Sequence, residues 1–161
     1  MSESDLSRQF SDLREVAARL NEQSDSITKT IEQFQDTLQQ LNLGLEVWIR
    51  LQSEESVYTP PIGVKIPIPV STETSVGYAR GEDGWALYVK RISYRANTFD
   101  NPLIASRRVE AVKVNKWIKL VDASRSVRIA ALDAFPKLLD ALKTSAESAV
   151  QAIENAKKFL S

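Results

Sequence analysis

The chain has no cysteine and no histidine. Without cysteine there can be no disulfide, no thiol nucleophile and no thiolate zinc site, a composition that suits a reducing compartment. The missing histidine removes more. It takes away the usual general base at neutral pH and the commonest metal ligand, and it leaves a serine nucleophile without its ordinary partner. Catalysis would fall to Asp, Glu, Lys, Tyr or Ser with strongly shifted properties. Only five glycines are present, none arranged as a phosphate-cradling loop ahead of a helix. No stretch approaches the ~18 apolar residues that span a bilayer. The opening Met-Ser-Glu-Ser-Asp lacks the basic and then apolar pattern of a signal peptide. The expectation is a soluble, cytoplasmic protein that is not an enzyme, with no catalytic residue, no cofactor, no metal and no membrane association.

What is present suits a folded chain. Of 161 residues, 43% are hydrophobic and 26% charged, enough apolar material for one domain with a core. The adjacent carboxylates Glu54-Glu55 and Glu82-Asp83 are the nearest thing to acid–base or hard-cation chemistry. Both pairs sit in polar, turn-like contexts and read as solvated loop charges, and the alternating oxygen ligands of a calcium loop are missing.

Residues 3–42 contain no glycine and no proline. Their apolar residues step by four and three: Leu6, Phe10, Leu13, Ala17, Leu20, then Ser24, Ile27, Ile31, Phe34, Leu38 and Leu41. That is a heptad seam on one long helix, ended naturally by Gly44. Few charges flank the seam, which favours a partner within the chain or a bundle. From about Asn115 a second helix is predicted to run to Leu160. Leu132, Phe135, Leu139, Leu142, Ala146, Ala149, Ile153, Ala156 and Leu160 form its seam, continued upstream by Trp117, Leu120, Ser124, Val127 and Ala131. Pro136 predicts a kink there, or a break into two helices.

The middle, residues 43–114, reads as strands. Leu45, Val47, Ile49 and Leu51 alternate with polar neighbours. Ser75–Arg80 and Trp85–Tyr94 flank Gly81-Glu82-Asp83-Gly84, a hairpin loop. Trp85–Tyr94 carries apolar residues on both faces and predicts a strand covered on both sides. Residues 60–70 alternate Ile and Val with Lys65, Pro67 and Pro69. Prolines two apart blank one side of a strand, so an edge strand or covering loop is expected. Residues 107–114 read as a strand rather than the first turns of the helix. The fold predicted is α+β: one domain over 1–161, with two long terminal helices as an antiparallel coiled-coil hairpin and a small antiparallel sheet as its head.

Net charge is zero overall but uneven. Residues 1–42 carry −4, 43–89 carry −3, 90–128 carry +7 and 129–161 are neutral. The basic segment holds Arg107, Arg108, Lys113, Lys116, Lys119, Arg125 and Arg128, interleaved with Tyr94, Phe99 and Trp117. Such a pattern could neutralise phosphates and stack bases, with Lys116 and Lys119 on one stripe of the second helix. The plainer reading pairs these cations with acids of the first helix.

A helix, a β-rich middle and a second helix resemble, in architecture and without any shared motif, the prefoldin chaperone subunits. The resemblance implies helical arms whose exposed apolar residues hold non-native chains. From the residues themselves, the leading expectation is an assembly or interaction protein that acts through its helical seams and self-associates. The seam residues Leu6, Phe10, Leu13, Leu20, Ile27, Ile31, Phe34, Leu38, Leu142, Ile153 and Leu160 would carry it. A nucleic-acid binder using residues 90–128 stands second. A small-ligand protein with a pocket formed by Trp48, Tyr78, Trp85 and Tyr88 stands third.

Overall fold

A computed structural model describes residues 3–59, 68–96, 109–114 and 116–160. Helix α1 (Glu3–Leu41) leads into strands β1 (Val47–Tyr58), β2 (Ile68–Gly81), β3 (Gly84–Ala96), β4 (Val109–Val114) and the two-residue β5 (Ile118–Lys119). A single 3-10 turn at Leu120–Asp122 precedes helix α2 (Arg125–Leu160). The sheet is antiparallel in the order β1-β2-β3-β4, and β5 pairs with β3 beside β4. The α+β class, with terminal helices and an antiparallel sheet between them, matches the sequence reading.

Local chemistry explains most boundaries. α1 ends where Asn42 (φ 47°) and Gly44 (φ 63°) take left-handed backbone, which strips the helix of its next hydrogen bonds. β2 and β3 turn over Glu82 and Asp83, with Gly81 paired to Gly84 and Gly84 at φ 101°. α2 starts after Ser124, a residue type favoured at that place: its carbonyl accepts from the Arg128 N–H at 3.0 Å, and its hydroxyl meets Ser126 Oγ at 3.1 Å. Pro136 lies inside one continuous α2, so the proline does not divide the helix in two.

Both helices lie on one face of the sheet. Ile31 and Leu38 of α1 and Ala131, Phe135, Leu138 and Leu142 of α2 meet Val76, Tyr78, Leu87 and Val89 of the sheet and Leu120 of the turn in one core. Phe34 and Phe135 stack with ring centroids 4.0 Å apart. On α2 it is Leu138 that is buried, while Leu139, expected in the seam, is 44% exposed. α1 also closes part of the open edge of β3. Gln39 donates its amide N–H to the Trp85 carbonyl at 2.6 Å, and the Leu87 N–H donates to Gln35 Oε1 at 2.9 Å. One helical turn separates the two glutamines, and two residues separate their targets, so both amides reach the same edge.

The opposite face carries a second cluster of Ala79, Ala86 and Tyr88 under Trp48 and Trp117. Trp48, Gly77 and Tyr88 are cross-strand neighbours. A Cβ at Gly77 would stand 2.5 Å from the Trp48 ring and from the Val47 carbonyl, so the glycine is what lets the indole lie across β2. Trp117 meets Trp48 edge-on at 4.8 Å.

The structure corrects four expectations. First, the second helix begins at Arg125 and not near Asn115. Trp117 is drawn to the outer face and Leu120 to the inner core, and only a strand followed by a turn can send residues three apart to opposite sides. Second, Glu54-Glu55, expected in a turn, lies within strand β1. Of residues 60–70, expected as an edge strand or covering loop, 60–67 lie outside the described residues; Pro69 pairs with Val57 of β1, and among the described residues pairing with β3 begins at Val70. Third, the four pocket aromatics divide. Tyr78 stacks on Trp85 at 5.4 Å on the helix-covered face, while Trp48 and Tyr88 lie on the other.

The fourth correction concerns helix direction. Asn21 pairs with Arg125 and Ser24 with Arg128, each 104 residues apart, and Phe34 stacks on Phe135. A nearly constant separation means that the helices run the same way where they touch. An antiparallel hairpin would require α2 to start beside the end of α1. Instead β5 and Leu120 set the chain down beside the middle of α1, and α2 buries its apolar face along the half that remains.

Candidate interaction site on the helical arms

The same-direction packing leaves two projecting arms. Past Asn21 toward its N-terminus, α1 has no α2 beside it, and past Leu142 α2 has no α1 beside it. Each arm, residues 3–20 and 143–160, holds 18 residues and extends about 27 Å. The two arms leave opposite ends of the shared segment.

The α1 arm is the uncovered continuation of the buried seam. Ser24, Ile31 and Leu38 are buried, and Ile27 and Phe34 are half-buried against the same core. Two turns earlier every described side chain is exposed. Phe10 and Leu13 are each 60% exposed, and Leu6, Val16 and Leu20 lie beside them. The α2 arm is less open, with Ser145, Ala146 and Ala149 half-buried. Leu142 is in the core, and Ile153 and Val150 are exposed. The side chain of Leu160 lies outside the described residues. Of the seam residues read from sequence, Leu6, Phe10, Leu13, Leu20 and Ile153 are thus open to a partner. Ile31, Leu38 and Leu142 fill the protomer's own core, and Ile27 and Phe34 flank it. Val16 and Val150 are exposed apolar positions that a strict heptad reading passes over. Their signal is spacing, since each lies three or four residues from the next seam residue.

The basic residues do not form one stripe. Arg107 and Arg108 lie outside the described residues, as does the side chain of Lys113 on β4. Lys116 pairs with Glu82 at 3.4 Å and Lys119 with Asp83 at 3.0 Å, on the hairpin turn and not on α1. The hydrogen bond and charge of Asp83 raise the Lys119 pKa. Arg125 and Arg128 do reach α1, but they meet neutral groups. Arg125 donates to Asn21 Oδ1 at 3.1 Å and Arg128 to Ser24 Oγ at 3.2 Å, with a second bond to Thr28. Their Nε atoms are buried without a hydrogen-bond partner among the described residues. These two arginines fasten the helices where the shared segment begins.

An open cleft of about 740 Å³ lies beside the hairpin turn, lined by Arg80, Tyr88, Lys116, Trp117 and Lys119 with the turn acids. Its two lysines are already paired. On the sheet's outer face nearby, the Lys90 ammonium sits 3.9 Å from the Trp48 ring centre, a cation–π contact. Burial lowers the Lys90 pKa against the opposing pull of Glu46. Among the described residues no group of three or more acidic side chains could hold a metal ion, and no helix is long and apolar enough to cross a membrane. No protein-family model matches the chain, and comparisons with curated proteins and with solved structures find no match.

Proposed function

We propose that this protein is a non-enzymatic assembly protein that associates with copies of itself through its helical arms. One observation carries the reading. A single apolar seam on α1 is buried over residues 24–38 and left in solvent over residues 6–20. Contiguous exposed apolar surface of this kind marks an interaction site. Its position on regular helix suits a helix-against-helix contact. Histidine and cysteine are both lacking, which leaves few routes to chemistry.

Light scattering behind size exclusion, on protein freed of nucleic acid, tests this. A mass above the 18.0 kDa of one chain, retained at high salt, is the expected result, because apolar contacts are not screened. A strictly monomeric particle at every concentration would overturn the reading.

A further inference from the structure

We infer that assembly is head to tail: the α1 arm of one copy packs, in the same direction, on the α2 arm of the next. This rests on the self-association proposed above and goes beyond it by naming the two surfaces that meet. Three observations point to a second copy as the occupant. The arms are of equal length, 18 residues each. Each continues a face that is already buried in the protomer core against the other helix and the sheet, so an end-on neighbour extends the helix-on-helix part of that contact along the same pair of helices. The arms also differ in charge in the favourable sense. Residues 3–20 carry one more acid than base, and residues 143–160 one more base than acid.

The symmetry follows from the direction. The arms leave opposite ends of the shared segment, and their pairing keeps both helices pointing the same way. A two-fold axis across the helices would reverse one of them. A two-fold axis along them would leave the arms at opposite ends, out of reach. The contact is therefore heterologous, and one copy added leaves one α1 arm and one α2 arm still open.

Two full-chain variants test this. Phe10→Asp with Leu13→Asp spoils the α1 arm, and Val150→Asp with Ile153→Asp spoils the α2 arm. All four positions are exposed, and circular dichroism checks that each variant is folded. The wild-type mass is expected to rise with concentration beyond two copies, while each variant alone stays at 18.0 kDa. An equimolar mixture of the two variants should form a species of two chains and stop there, because only one junction remains intact. If either variant still self-associates alone, or the wild type stops at a dimer, the head-to-tail pairing is overturned and self-association stands. If the wild type is monomeric throughout, both fall.

Discussion

Residues 24–38 and residues 6–20 of α1 belong to one helix and one seam, yet they live in different solvents. In the first stretch Ile31 and Leu38 are sealed between α2 and the sheet. In the second, Phe10 and Leu13 face water. Sequence pattern does not separate the two stretches, because both repeat apolar residues at steps of three and four. What separates them is where the sheet releases the chain into α2. Amphipathic periodicity therefore states that a face needs cover, and topology decides whether the cover comes from the same chain.

The comparison breaks most sharply with matched truncations. Ile31→Ala or Leu138→Ala, both at fully buried sites, should cost about 2–5 kcal/mol in urea unfolding. Leu13→Ala at low protein concentration should stay within about 0.5 kcal/mol. Equal losses at the two sites would mean that the arm is packed within the protomer. Next in size is Gly77→Ala, which drives a Cβ into the Trp48 ring and the Val47 carbonyl. A loss of about 1–3 kcal/mol is expected, with a shift in tryptophan emission. Unchanged stability and emission would show that Trp48 does not lie across the glycine.

A double-mutant cycle on Phe34 and Phe135 measures the helix contact itself. The stacked pair should couple by about 0.5–1.5 kcal/mol, whereas the same cycle on Phe10 and Phe135 should give none. The smallest effect is in alkaline solution. Burial raises the Tyr78 pKa, so the folded state holds that proton longer than the unfolded one. Stability from this group is complete below the ordinary tyrosine value of about 10. It is lost as pH rises through the higher folded value. The urea midpoint should fall over that window in the wild type and fall less in Tyr78→Phe.

Much of the architecture was legible. A stretch of about 40 residues free of glycine and proline, ended at Asn42 and Gly44, reads as α1. Gly-Glu-Asp-Gly between two strand patterns reads as the β2–β3 turn, and the two-faced apolar pattern of β3 reads as burial on both sides. The start of α2 was obscured because Trp117, Leu120, Val127 and Ala131 imitate helical spacing. Ser124, a good cap, was the competing signal. Helix direction has no local code, since it depends on the pairing of β5 with β3 more than 75 residues after α1 ends. Nor could composition reveal that Lys116 and Lys119 answer the turn acids Glu82 and Asp83.

The two amides that α1 lays on β3 bear on how the sheet resists the addition of further strands. An open strand edge is a template on which further strands can add without limit. Gln35 and Gln39 occupy that template at Trp85 and Leu87 with side chains that cannot propagate it. The helix whose N-terminal arm is exposed thus also guards this stretch of the β3 edge. The proposed growth through helices would be kept chemically apart from aggregation through strands.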